Sequence, residues 1–117
     1  DNREPLERLI LFFRDPAFKV ALWGAGKWGK EVAKYFEDNF HYKFDSIVDN
    51  NRELWGKLLN EVEITSFERV KDNIDIFVIT NMSFRDGIKE QMRKSFCKAE
   101  VLMLPQYLGK AIVECLE

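Results

Sequence analysis

The sequence predicts an α/β fold, a three-layer, doubly wound parallel sheet with helices on both faces. Three observations predict it. Short apolar runs alternate along the chain with amphipathic stretches of 3.6-residue period, the first run passes directly into Gly24-Ala25-Gly26-Lys27-Trp28-Gly29, and a later one is a continuous Ile-Asp-Ile-Phe-Val-Ile run. Such alternation calls for parallel strands joined by right-handed helical crossovers, which gives the strand order 3-2-1-4-5.

Each element has its own signal. Leu6, Leu9, Ile10 and Phe13 recur at helical spacing, and Asp15-Pro16 stops the pattern because the residue before proline avoids the helical region, so residues 1–16 read as an extra N-terminal helix. Lys19 to Trp23 is too short for a helix and apolar enough for a buried strand, the first of the core at 19–104. After the glycines, Gly29, Val32, Ala33, Phe36 and Phe40 share one helical face while Lys30, Glu31, Lys34 and Glu37 share the other. Phe44 to Val48 reads as strand two, ended by the turn-forming Asp49-Asn50-Asn51. From Arg52 to Glu63 neither period is clean. Val62 to Ile64 reads as a short edge strand, followed by a short helix from Ser66 to Lys71 with Ser66 as its cap. Ile74 to Thr80 carries the strongest strand signal. Ser83 and Asp86 have the spacing of a capping box, ahead of a helix with Phe84, Ile88, Met92 and Phe96 on one stripe. Val101 to Leu104 is a last strand stopped by Pro105, and residues 105–117 read as a closing helix.

Composition narrows the class. A chain of 117 residues, 46% hydrophobic and 32% charged, fits a single globular domain spanning 1–117. Its eighteen basic residues are interspersed among twenty acidic ones, with a formal net charge of −2, so no basic block marks a nucleic-acid footprint and nucleic acid is not the expected partner. No apolar run reaches the ~18 residues of a membrane span, and no secretory signal pattern opens the chain, so the expected location is cytoplasmic. Cys97 and Cys115 sit in amphipathic stretches without metal-ligand spacing and read as reduced, buried thiols. The missing initial methionine suggests a piece excised from a longer polypeptide, whose terminal helices would join it to a second copy or to a fused catalytic domain.

The pattern G-x-G-x-x-G carries weight where it follows a strand and opens a helix, and both conditions are met here. Gly24 permits the tight turn, Gly26 lets the backbone approach a pyrophosphate, and Gly29 allows close packing of helix on strand. The helix start offers free N–H groups and the positive end of a dipole to an anion, and Lys27 adds a mobile charge. Asp49 ends strand two, where an acidic side chain accepts hydrogen bonds from a ribose diol, with Asn50 beside it; its charge disfavours a 2′-phosphate, while Arg52 nearby keeps that reading open. Thr80 and Asn81 end a central strand beside the same crevice, while Ala25 and Trp28 complete the turn. Trp28 reads as a cover for the helix start more than as a stacking platform. These ten residues form the candidate cofactor-binding site, for a nucleotide-type small molecule. Packing glycines and a plain turn at Asp49 are the alternative reading.

The runs Val20-Ala21-Leu22-Trp23-Gly24-Ala25-Gly26-Lys27-Trp28-Gly29-Lys30-Glu31-Val32, Ser46-Ile47-Val48-Asp49-Asn50-Asn51 and Asp75-Ile76-Phe77-Val78-Ile79-Thr80 resemble the Rossmann-like, NAD(P)-binding modules of bacterial nucleotide-sugar-modifying enzymes. These include the N-terminal domains of sugar acetyltransferases, the cofactor domains of epimerase/dehydratases, and domains beside methyltransferases. The resemblance implies an NAD(H) or nucleotide-sugar site at Gly24, Gly26, Lys27, Gly29 and Asp49, within a protein of surface-polysaccharide biosynthesis. The chain lacks the hexapeptide repeats and the separate catalytic domain of complete members.

No catalytic constellation is legible. Short-chain reductases pair Tyr-x-x-x-Lys so that the lysine lowers the tyrosine's pKa, and Tyr35, Tyr42 and Tyr107 lack that partner. There is no G-x-S-x-G elbow, and the single histidine, His41, follows a helix in a polar turn, as a solvated residue does. A nucleotide-binding module is the first reading. A ligand-free interaction domain, suggested by Trp28 and Trp55, and a methyltransferase fragment binding S-adenosylmethionine are the others.

Overall fold

The computed structural model describes residues 15–104. The helices read at 1–16 and 105–117 lie outside the described residues, apart from the turn at Asp15-Pro16. There the Asp15 carboxylate accepts from Ala17 N–H at 2.9 Å and its carbonyl from Phe18 N–H at 3.1 Å, an Asx-type turn that leads the chain into the sheet.

Alternation of strand and helix is realised as β1 (Val20–Trp23), α1 (Lys27–Phe40), β2 (Ser46–Val48), β3 (Leu58–Leu59), β4 (Val62–Thr65), α2 (Phe67–Val70), β5 (Ile76–Ile79), α3 (Arg85–Lys94) and β6 (Glu100–Met103). They build one sheet in the order β3-β4-β2-β1-β5-β6. Its five parallel strands have the doubly wound arrangement that the sequence predicts, in the Rossmann-like order, and β3 is an antiparallel addition at one edge.

The central strands β1 and β5 are buried along their whole length, which explains why they read as unbroken apolar runs. Their side chains alternate between two cores. Val20, Leu22, Ile76 and Val78 meet Val32, Ala33 and Phe36 of α1 on one face. Ala21, Trp23, Phe77 and Ile79 meet Phe67 of α2 and Ile88 and Met92 of α3 on the other. Trp23 stacks on Phe67 with centroids 4.9 Å apart and meets Phe77 edge-on at 5.2 Å, fixing α2 against the sheet.

Sequence and structure part at three places. The ambiguous stretch after Asn51 is a 3-10 turn (Arg52–Leu54) followed by the β3–β4 hairpin, so β4 is an interior strand and β3 takes the edge. Asn60 and Glu61 turn this hairpin with φ of 50° and 68°, the pair of left-handed residues that a tight hairpin needs, without the glycine that signals it in a sequence. The expected capping box is absent. Ser83 lies in a 3-10 turn (Met82–Phe84), where Asn81 Oδ1 accepts from its N–H at 3.0 Å and its hydroxyl at 2.6 Å, and α3 starts after Phe84 without a side-chain cap. Phe84 and Phe96 leave the apolar stripe, 62% and 88% exposed, because they flank the helix and do not lie within it. Ser66 does cap α2, accepting from Arg69 N–H at 3.3 Å.

Two aspartates tie down the start of β1. Val20 N–H donates to Asp45 Oδ2 at 2.8 Å while Asp45 N–H donates to Val20 O at 2.9 Å, and Lys19 N–H donates to Asp75 Oδ2 at 2.8 Å. Val20 is fully buried, so its N–H has no water to fall back on. Asp45→Ala should therefore lower the unfolding free energy by about 1–3 kcal/mol, the cost of an unsatisfied buried donor, and Asp45→Asn, which retains an oxygen acceptor, by less. Urea unfolding of the three proteins measures the difference.

Candidate nucleotide site

The turn between β1 and α1 is shaped by two glycines. Gly24 has φ +121°, a conformation closed to other residues, and its N–H donates to Val48 O at 2.7 Å, stitching the turn to the end of β2. Gly29, on the first turn of α1, faces the carbonyl of Gly24 so closely that a Cβ there would overlap the carbonyl oxygen and carbon. This is the close helix-strand contact that the motif implies. Gly26 differs from both. It precedes the helix in an extended conformation, and a Cβ added to it would meet no protein atom within 4 Å.

Asp49 holds the loop from the neighbouring strand. Its Oδ2 accepts from Ala25 N–H at 2.9 Å and its Oδ1 from Asn51 N–H at 2.8 Å, while the Trp55 indole N–H donates to its backbone oxygen at 2.7 Å. Thus Gly24 and Ala25 spend their N–H groups on the protein. Those of Gly26, Lys27, Trp28 and Gly29 have no acceptor among the described residues, and the first bond back to the loop is Lys30 N–H to Gly26 O at 2.9 Å. The positive end of a fourteen-residue helix is therefore open.

It opens onto a cleft of about 530 Å³ at the carboxyl ends of β1, β2 and β5. That is where the sheet order reverses and where doubly wound folds take their ligands. Of the ten candidate residues, the cleft brings together Gly24, Gly26, Lys27, Trp28, Gly29, Asp49, Asn50, Thr80 and Asn81. Ala25 is buried behind the loop and contributes its N–H to Asp49. Trp28 is half-buried with Lys27 Nζ 5.6 Å from its ring centroid, so the lysine's charge rests over the indole at the cleft edge. On the opposite wall Ser83 continues the segment of Thr80 and Asn81, whereas Phe84, Gly87, Ile88 and Gln91, from further along after β5, were not evident from sequence. Only the crossover of α3 brings them there.

Titratable side chains on the cleft wall are Lys27 and Asp49, among the described residues. Tyr42 lies before β2, away from the strand's carboxyl end, and its hydroxyl is pushed far above the usual tyrosine range, first by burial and then by the Asp45 carboxylate. It stays protonated. His41 caps the end of α1 in the left-handed conformation, exposed to solvent as its sequence position suggests. Among the described residues no cluster of His, Cys, Asp and Glu is placed to hold a metal ion. Cys97 is half-buried with its thiol 3.5 Å from Lys71 O, and Cys115 lies outside the described residues.

The family model for C2185-like proteins, N-terminal, matches residues 17–100, from the approach to β1 through the glycine loop and the crossovers to the first residue of β6. The chain belongs to this C2185-like N-terminal family. No curated protein sequence matches it. Among solved structures, RSP, a Rex-family repressor, is similar with a TM-score of 0.59 and 19% identity over 95% of this chain and 62% of that one. RSP in complex with β-NADH is similar with a TM-score of 0.57 and 19% identity, over 86% of this chain and 58% of that one. The UDP-D-quinovosamine 4-dehydrogenase of Vibrio fischeri is similar with a TM-score of 0.58 and 15% identity, over 74% of this chain and 76% of that one. The family member described here thus spans about three-fifths of the RSP chain. These likenesses establish the Rossmann-like fold.

They also correct one expectation. Nucleic acid was excluded as a partner on charge, yet the same RSP fold is seen with β-NAD+ and operator DNA, at a TM-score of 0.59 and 20% identity over 92% of this chain. The charge balance of one domain does not govern what a whole protein containing such a domain binds, so it gives no ground for excluding nucleic acid. Among the described residues no helix is long and apolar enough to cross a membrane.

The geometry separates the two loop glycines by experiment. Gly29→Ala drives a methyl into backbone that cannot yield and should cost about 1–3 kcal/mol or more, whereas Gly26→Ala should leave the melting temperature within about 2 °C. Equal losses in thermal unfolding would refute the division of labour.

Proposed function

We propose that this chain is a nucleotide-binding module that holds NAD(H) or a nucleotide sugar by its diphosphate. The observation that carries the proposal is the set of unused N–H groups at Gly26, Lys27, Trp28 and Gly29, opening on a cleft beside a glycine with free space where its side chain would be. Backbone amides at a helix start suit a phosphate because they are fixed donors at the positive end of a dipole, and Gly26 lets the anion approach the backbone directly. Lys27 supplies a counter-charge at the rim. Asp49 retains lone pairs beyond those given to Ala25 and Asn51, which a ribose diol can use, and Thr80 and Asn81 face the middle of the ligand.

The open helix-start amides beside the cleft support this reading over a ligand-free interaction domain. A dinucleotide also suits the glycine spacing better than S-adenosylmethionine. We assign the module to a larger cytoplasmic, bacterial protein of sugar modification or surface-polysaccharide biosynthesis. Support comes from the N-terminal designation of its family and from the similar fold of a UDP-sugar dehydrogenase. The repressor neighbour bound to β-NADH supports the dinucleotide equally. Both contexts give the module one task, holding a nucleotide at the same loop.

Isothermal titration of the full chain with NADH, NADPH, UDP-glucose, coenzyme A and S-adenosylmethionine tests the proposal. Saturable heat is expected with NADH or UDP-glucose. Gly26→Ala should weaken it at least 10-fold while the protein stays folded by circular dichroism, since the added methyl stands where the anion would approach and meets no protein atom within 4 Å. No heat with any nucleotide at millimolar concentration would remove the function.

A further inference from the structure

Phosphate binding leaves two features of the α3 wall unexplained. Gly87 sits in the first turn of α3, where alanine would be the better helix former. Neither of the usual structural reasons for a glycine applies: its φ is not positive, and a Cβ there would meet no protein atom within 4 Å. It lines the cleft.

One turn further along the same face stands Gln91. Its side-chain amide and that of Asn50 exchange two hydrogen bonds, Asn50 Nδ2 donating to Gln91 Oε1 at 3.1 Å and Gln91 Nε2 donating to Asn50 Oδ1 at 3.3 Å. The pair bridges the end of β2 and α3 across 41 positions of sequence, and both members line the cleft that holds the loop amides. A neutral hydrogen bond exposed to competing water contributes little net, so a ligand offering equivalent bonds can replace it at small cost.

We infer that Gly87, Asn50 and Gln91 form a nucleobase site, in which the bare backbone at Gly87 leaves a flat surface for a planar ring and the amide pair opens to read its edge. This inference rests on the nucleotide reading above. Each carboxamide presents a donor and an acceptor side by side. That is the complement of a base edge carrying the same two groups in the opposite order, which is how asparagine and glutamine pair with adenine. Adenine offers an amino group beside a ring nitrogen, and uracil an imide N–H beside a carbonyl. Because a carboxamide can turn over, the shared chemistry is an edge with adjacent donor and acceptor, and the ligand series distinguishes the adenine of NADH from the uracil of UDP-glucose. The two amides are hydrogen-bonded to each other, and a base edge would replace each of those bonds with an equivalent one.

The test is titration of the full chain and its Gln91→Ala and Gly87→Leu variants with NADH, UDP-glucose and inorganic pyrophosphate. Both positions line the cleft, and circular dichroism melts of the variants check that they fold. Each variant should weaken the preferred base-carrying ligand at least 10-fold and leave pyrophosphate affinity unchanged. Unaltered affinity for NADH and UDP-glucose in both variants would overturn the base site while the phosphate site stood. Tighter binding in Gln91→Ala would also overturn it, because the pair would then be a barrier. A wild type that bound pyrophosphate alone would remove the base site, and one that bound nothing would remove the nucleotide reading itself.

Discussion

The rest of the structure depends on the contact between Gly29 and the carbonyl of Gly24. It sets how near α1 starts to the end of β1, and therefore where the open end of the helix points. Gly24 can offer its carbonyl there only because its φ of +121° turns the chain sharply, while its own N–H stays bonded to β2 through Val48. Closeness here has a functional consequence. A helix beginning further from the sheet would present its first N–H groups to bulk water, where an anion gains little from them, instead of to a concave wall that shields the ligand.

Around that contact, side chains near strand ends serve as fasteners for the backbone. Asp45 and Asp75 hold the start of β1, and Asp49 holds the loop beyond its end by accepting from Ala25. Asp49 is in turn seated by Asn51 and Trp55, so the 3-10 turn and the β3–β4 hairpin, remote in sequence from the glycines, support the geometry of the loop. The hairpin thereby has a role beyond extending the sheet. An acidic residue at this position can serve the loop and a ribose together, since a carboxylate has about four acceptor sites and the protein uses two of them.

Much of this was legible in the sequence because the signals were local. A strand buried on both faces needs a continuous apolar run, α1 needs a 3.6-residue period, and a glycine at each of three loop positions leaves few alternatives. What was not legible depended on partners distant along the chain. Glu61 at φ 68° carries no turn signature, so the hairpin was hidden, and its hydrogen bonds come from pairing with β4. Ser83 and Asp86 had the spacing of a cap, yet Asn81 two residues earlier competes for the Ser83 N–H and hydroxyl and draws them into a 3-10 turn. The loop half of the site, Gly24 to Gly29 with Asp49 and Asn50, could be read from one motif and its spacing. The α3 half could not, because nothing in the text around Gly87 or Gln91 says that a crossover brings them opposite Asn50.

The character of the cleft wall follows from these two halves. It offers fixed backbone donors, neutral amides and hydroxyls, with Lys27 and Asp49 as its titratable side chains among the described residues, and Asp49 already bonded at both oxygens. Groups of that kind orient and select a ligand by matching its donors and acceptors. A general acid or base needs a pKa near the operating pH and a place beside the reacting atom. The one strongly shifted tyrosine, Tyr42, is moved away from neutrality and sits at the other end of β2. The wall is thus suited to orienting and matching a ligand, and since one fold carries many functions, the site's groups and not the likeness to a repressor or a dehydrogenase must decide what this module does.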